Sequence, residues 1–218
     1  MYTIGTHNLA VLLKGGVDGG LEDEYKNWEW YDARLTEKGK DQATNLRPKL
    51  ENIPIDVVLV SPLSRTIQTA LLAVPPGPKF IAEELVRERC GTHPCDKRRS
   101  KTELTQDFPT IDLVQLKSEE DDYWTEERES MEALIGRANS FLNVVRNRPE
   151  TRFAVVTHND FLKALLFESS LQFSEKSLQK TFGNAEELGI VLVWDNINNS
   201  NIGTTSPTNA STTGSTSG

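Results

Sequence analysis

The 218-residue chain predicts an α/β sandwich built on a mostly parallel sheet. Two short Val-rich runs, "IDVVLVS" (Ile55–Ser61) and "RFAVVTH" (Arg152–His158), are apolar without alternation, the pattern of a strand covered on both faces. Each feeds directly into a helical pattern, "SPLSRTIQTALLA" and "NDFLKALLFES". Between them, Arg128 to Arg146 repeats apolar residues at three- and four-residue steps, as a helix packed on a sheet requires.

The chain opens with "MYTIGTHNLA", placing His7 and Asn8 ahead of any clear strand, with apolar Val11–Leu13 behind them. Residues 14–33 are Gly-rich, then acidic and aromatic, and predict a surface loop. From Thr36 to Leu50, Ala43, Leu46 and Leu50 share one helical face, Thr36 suits the helix start, and Pro48 predicts an early end. Ser61, Pro62 and Ser64 suit the first turn of the next helix. "VPPGP" is a turn and "KFIA" a short strand, and residues 87–125 form an excursion with little periodicity. In the helix at 128–146 the buried stripe is Met131, Leu134, Ile135, Ala138, Phe141, Leu142 and Val145. "LGIVLVW" (Leu188–Trp194) is a third strand of the buried type. Residues 1–195 therefore predict one domain. The Asn/Ser/Thr/Gly-rich residues 196–218 predict a disordered tail, having too little apolar surface to offset chain entropy.

Composition narrows the function classes. A net charge of -8 disfavours broad nucleic-acid binding, which needs a basic footprint, but a local arginine can still hold a small anion. No apolar run reaches the roughly 18 residues of a membrane span, and no secretory leader pattern is visible. The expected compartment is the cytoplasm, with no membrane partner. Cys90 and Cys95, with His93 between them, are too few and too widely spaced for a usual structural zinc site, so two ordinary thiols and no metal or organic cofactor are expected.

Two stretches share one design: Ser61-Pro-Leu-Ser-Arg65 and His158-Asn-Asp each follow a strand and open a helix. Ligands of open α/β sheets bind beyond the carboxyl ends of strands, where helix N-termini offer N–H donors to a phosphate. Arg65 adds a forked permanent charge and His158 a proton-switchable one. Taken singly, Arg65 reads equally as a helix-surface ion pair, His158 as a core histidine and Glu88 as a solvated carboxylate.

In combination, "DARLTEKGKDQATNLRPKL", "IDVVLVSPLSRTIQTA", "ELVRERCGTHP" and "FAVVTHNDFL" are similar to the histidine phosphatase superfamily in its phosphoglycerate-mutase-like branch. They resemble its plant and fungal phosphatase-like members, which carry Gly-x-His-Asn near their start. The resemblance runs from about Gly5 to Trp194. It implies a three-layer α/β/α sandwich and phosphoryl transfer through a phosphohistidine, without cofactor. In the family that histidine lies in an Arg-His-Gly or Arg-His-Ala motif at the end of the first strand. By motif, Arg65 matches the second phosphate-holding arginine, His158 the second histidine and Glu88 the acid that protonates the leaving oxygen. Asn8 matches the asparagine downstream of the nucleophile, and His7 precedes it; both are expected at the phosphate.

Aligned through Gly5-Thr-His7-Asn8, the family's Arg-His pair falls on Met1 and Tyr2, neither of which can replace it. The first strand is accordingly expected to be truncated. Three accounts fit: an incomplete sequence, a non-catalytic relative that still binds phosphorylated ligands, or a nucleophile reassigned to His7. The expected function is a phosphomonoester hydrolase by lineage, with phosphatase preferred over mutase and this chain inactive or incomplete; the alternative is a phosphate-binding or regulatory module. The expected partner is a small phosphorylated substrate or a phosphopeptide. Lys97, Arg98 and Arg99 are either contacts for an extended substrate or a solvated basic stretch.

Overall fold

The computed structural model describes residues 7–14, 26–171, 187–193 and 210–212. Seven strands form one sheet in the order β4-β3-β2-β5-β1-β6-β7. They are β1 (His7–Lys14), β2 (Val57–Val60), β3 (Lys79–Ala82), β4 (Ile111–Asp112), β5 (Arg152–Thr157), β6 (Glu187–Val193) and β7 (Ala210–Thr212). The pairs among β1 to β5 are all parallel, whereas β6 runs antiparallel to β1 and to β7.

Alternation along the central strands sends side chains to two helical layers. Val57, Leu59, Phe153 and Val155 face α4 (Met131–Arg146) and α5 (Asn159–Lys163), where Leu134, Ala138, Phe141, Leu142, Phe161 and Leu162 complete one core. Val58, Val60, Ala154 and Val156 face α1 (Glu37–Leu50) and α2 (Ser64–Ala73), where Leu46, Leu50, Ile67 and Ala70 complete the other. The three-layer architecture expected from the sequence is the one observed. Two buried faces explain why β2 and β5 are apolar throughout rather than alternating.

Several local expectations change. Pro48 does not end α1, which continues to Leu50. A proline in the last turn removes only one hydrogen bond, and fully buried Leu50 anchors the end. The 87–125 excursion contains α3 (Lys101–Asp107), started by a Ser100–Glu103 capping box, and the short β4. Beyond α5 the helix widens into a π-turn over Ala164–Glu168.

Two larger expectations are corrected. The first-strand position is filled rather than truncated: β1 lies between β5 and β6, with Leu9–Lys14 beside Arg152–Thr157 and His7–Leu13 beside Glu187–Val193. The β1 main chain pairs with both neighbours, whose backbone groups would otherwise stay unpaired. The polar tail also contributes to the sheet, with Ala210–Thr212 pairing with residues 190–192. An edge strand needs backbone hydrogen bonds more than apolar side chains, so composition did not reveal it. Trp194 lies outside the described residues. Among the described residues, no helix is long and apolar enough to cross a membrane.

Candidate active site

The carboxyl ends of β1, β5, β2 and β3 lie on one edge of the sheet, and the chain leaves β2 and β5 there to start α2 and α5. After β2, the backbone N–H of Ser61 still donates to the Val156 carbonyl, tying the two strand tips together. The N-cap of α2 is Leu63, which has no capping side chain. Asp32, 32 residues upstream of Ser64, supplies the cap: its carboxylate accepts from the Ser64 N–H at 2.8 Å and from the Ser64 hydroxyl. Ser61 and Ser64 therefore do not cap the helix themselves, as the sequence had suggested. Asp32 holds a positive φ of 42° and is fully buried. Burial raises its pKa, and the Ser64 bonds oppose that rise.

With α2 so anchored, Arg65 turns inward and is only 3 % exposed; His158, N-cap of α5, is 1 % exposed. The two meet: an Arg65 Nη2 lies 3.2 Å from His158 Nδ1, and His158 Nε2 lies 2.8 Å from Ser61 Oγ. A guanidinium can only donate, so Nδ1 accepts and the proton of the neutral ring sits on Nε2, facing Ser61. Burial first, then the Arg65 charge, pushes the His158 pKa well below its ordinary value of 6.5. The same Arg65 Nη2 donates to Asp96 Oδ1 at 2.8 Å, and Nη1 donates to the Cys95 carbonyl.

Glu88 joins the edge from the strand-following segment behind β3. Its Oε1 accepts from the backbone N–H of Asp160 at 3.2 Å, in the first turn of α5, and from that of Arg89 at 2.9 Å. Burial and the charges of Asp96 and Asp160 push its pKa up to about 7. A partly buried carboxyl that titrates near neutrality can deliver a proton to a leaving oxygen. Arg137 fixes the main chain beneath it, donating to the carbonyls of Leu85, Arg87 and Glu88 and pairing with Glu129. This arginine went unnoticed in the sequence, yet it interrupts the apolar stripe between Leu134 and Ala138, and a charge inside such a stripe is a signal.

A second set of residues missed in the sequence forms the rim. Asp96 joins Arg65 to Arg128, whose Nη1 donates to Asp96 Oδ2 and to the Gly91 carbonyl, both at 2.8 Å. Burial acts to raise the Asp96 pKa, but His93, Arg65 and Arg128 outweigh it and hold it well below the usual carboxylate range. Gly91 has φ +87°, and a Cβ there would lie 1.9 Å from the Glu127 carbonyl oxygen, so the two rim loops close only over glycine. Arg87 donates to both oxygens of Asp121, to Glu84 and to the Asp96 carbonyl.

Of the basic stretch only Arg98 is buried, while Lys97 and Arg99 are partly exposed. Arg98 is buried and donates to Glu84 and to the carbonyls of Arg99, Ser118, Glu119 and Glu120. The Lys97 ammonium lies over Trp28 and Trp124, and Arg99 stacks over Tyr31 and pairs with Asp32. Backbone oxygens and aromatic faces recruited from distant segments satisfy these cations, which local sequence does not reveal. Cys90 and Cys95 are buried free thiols, their pKa values raised to about 11 and about 12, first by burial. Among the described residues no group of three or more His, Cys, Asp or Glu could hold a metal ion.

His7 and Asn8 do not join the cluster. They begin β1 beside Val193 and Leu192, while Lys14 ends it beside Thr157. Lys14 lies seven residue steps along the strand from His7, roughly 23 Å at the rise of a parallel strand. The motif alignment had placed the family's Arg-His pair ahead of this segment. In the sheet, the residue at the first-strand tip is Lys14.

Arg65, His158 and Glu88 thus gather at the strand tips of a sheet covered on both faces. The profile of the histidine phosphatase superfamily (branch 1) matches residues 22–186, and the chain belongs to that family. It is 33 % identical over 198 residues to a phosphoglycerate mutase-like protein of Arabidopsis thaliana, covering 74 % of this chain and 70 % of the relative. The fold resembles that of a mycobacterial glucosyl-3-phosphoglycerate phosphatase, with TM-score 0.55, 19 % identity and coverage of 86 % and 92 % of the two chains. It also resembles a putative alpha-ribazole-5'-P phosphatase from Escherichia coli, with TM-score 0.57, 18 % identity and coverage of 85 % and 90 %.

Proposed function

We propose that the chain binds the phosphoryl group of a small phosphomonoester at the Arg65–His158 tip and hydrolyses it poorly. The observation that carries this reading is the hydrogen bond between those two side chains, with Glu88 held at the first turn of the same helix. An arginine fork and helix N–H groups suit phosphoryl oxygens, and in this reading Glu88 protonates the leaving oxygen. Family membership and the phosphatase neighbours support a phosphomonoester over other anions.

Poor hydrolysis follows from the nucleophile. The chain has three histidines. His7 starts β1 at the far end, His158 has both ring nitrogens engaged, and His93 sits beside Asp96 with Nδ1 3.7 Å from its Oδ2. Loss of a nucleophile has cost a hydrolase about 10⁶ in turnover, with the remaining rate supplied by binding groups.

The test pairs two measurements on the full chain. Phosphate release from p-nitrophenyl phosphate at pH 5 and 7 is expected to stay below roughly 1 s⁻¹, at the low edge of enzyme turnover. Inorganic phosphate or vanadate is expected to raise the melting temperature by roughly 2–4 °C per kcal/mol of linked binding, and Arg65→Met to abolish the rise. Fast turnover removed by His7→Ala, or a phosphate response indifferent to Arg65, overturns the reading.

A further inference from the structure

The Asp96 carboxylate is gripped the way an anionic ligand would be. Each oxygen faces a different arginine: Oδ1 accepts from Arg65 Nη2 and Oδ2 from Arg128 Nη1, each at 2.8 Å. The three side chains come from separate parts of the chain, with Asp96 31 residues from Arg65 and 32 from Arg128. Arg65 is simultaneously hydrogen-bonded to His158, so the carboxylate lies against the donor that a phosphoryl oxygen would need. We propose that Asp96 is a built-in competitor in the phosphoryl site, and that Arg128 is the second guanidinium of that site, taken over by the ligand when Asp96 swings away.

Two features let the carboxylate leave without dismantling the loop. Main-chain bonds hold the segment: the Cys95 carbonyl accepts from Arg65 Nη1, the Asp96 carbonyl from Arg87 Nη2, and the Asp96 N–H donates to the His93 carbonyl in a 3₁₀ turn over Pro94–Asp96. Rotation of one side chain is therefore enough. The His93 ring, 3.7 Å from Oδ2, offers a place for the displaced carboxylate. Two like charges cannot share these donors without strong repulsion in a buried setting. A phosphoryl dianion must therefore displace Asp96, and affinity is correspondingly reduced. Arg128 is the more exposed of the two arginines, with 23 % of its side chain accessible, so it stands on the approach to the pocket.

This inference rests on the phosphate-binding reading, and the two fail differently. Inorganic phosphate is titrated by calorimetry into the full chain and into Arg65→Met, Asp96→Asn and Arg128→Met, each checked for folding by circular dichroism. Asp96→Asn is expected to bind about tenfold tighter and Arg128→Met about tenfold weaker, the scale of one charge-assisted hydrogen bond. If Asp96→Asn does not fold, Arg128→Met decides alone. Arg65-dependent binding that Asp96→Asn leaves equal or weaker, or that Arg128→Met leaves unchanged, overturns this inference and spares the phosphate reading. Absence of Arg65-dependent binding in every variant overturns both.

Discussion

His158 Nδ1 accepts a hydrogen bond from the Arg65 guanidinium across 3.2 Å, which commits the buried imidazole to its neutral form. A protonated ring would turn a donor toward a donor beside a fixed positive charge. This one contact sets the electrostatics of the strand tips and opposes the neighbouring Glu88.

The two residues pull stability in opposite directions with pH. His158 has a folded pKa below its ordinary 6.5, so its contribution is whole above that pH and is lost as pH falls toward the depressed value. Glu88 rises from an ordinary 4.5 to about 7 when folded, so its contribution is whole below about 4.5 and is lost as pH climbs through 7. In urea unfolding between pH 5 and 7.5, Glu88→Gln should gain stability with rising pH and His158→Gln should lose it. Equal slopes in the two variants would contradict these assignments.

Arg65→Met should destabilise the fold as well as the ligand response. It leaves Asp96 buried with half its neutralising charge, a loss of about 3–5 kcal/mol where one partner of a buried pair is removed. Arg65→Lys should recover part of the stability, because it keeps the charge but not the fork that reaches Asp96, Cys95 and His158 together. Urea midpoints for the three proteins check the order.

Arg98→Met tests the base of the 98–120 excursion. The carbonyls of Arg99 and Ser118 would lose their donor, those of Glu119 and Glu120 one of two donors, and Glu84 one of its two arginine partners. A loss of about 3 kcal/mol or more is expected, with the Arg65-dependent phosphate response retained at temperatures where the protein stays folded. A change under 1 kcal/mol would mean that water replaces the guanidinium at little cost.

The register of β1 predicts where an imidazole would restore chemistry. Lys14 ends the strand beside Thr157, the residue before His158. Lys14→His should therefore raise phosphomonoester turnover roughly 10²-fold, a small part of what a lost nucleophile costs, and form an acid-labile phosphoenzyme. Tyr2→His should not. The opposite result would show that the sequence alignment through Gly5 and Asn8, and not the observed pairing of His7–Lys14, marks the reactive position.

The central strands, the helices α1, α2, α4 and α5, and Arg65 and His158 were legible because each is a local pattern; α3 and β4 were not, and Glu88 followed from the resemblance. β2 and β5 are apolar runs that enter helices, and Arg65 and His158 sit at those junctions. Asp32, Asp96 and Arg128 were not legible. Each acts through a partner about 30 residues away, and no spacing rule connects a carboxylate in one loop to a guanidinium in another. The placement of His7 and Asn8 followed a motif whose register only strand pairing could test. The β7 pairing was hidden because a sheet edge selects for backbone rather than for apolar content.

Position 32 illustrates how narrow a single site's tolerance can become. Its backbone lies in the left-handed region, which favours glycine, asparagine and aspartate. Its side chain must also span to both donors of Ser64. Glycine meets the dihedral demand and abandons the helix start; serine or glutamate offers an acceptor at a backbone angle that resists it. In a saturation library, asparagine alone should approach the parental residue, and every other choice should register as a loss one residue further along α2, in the pairing of Arg65 with its imidazole.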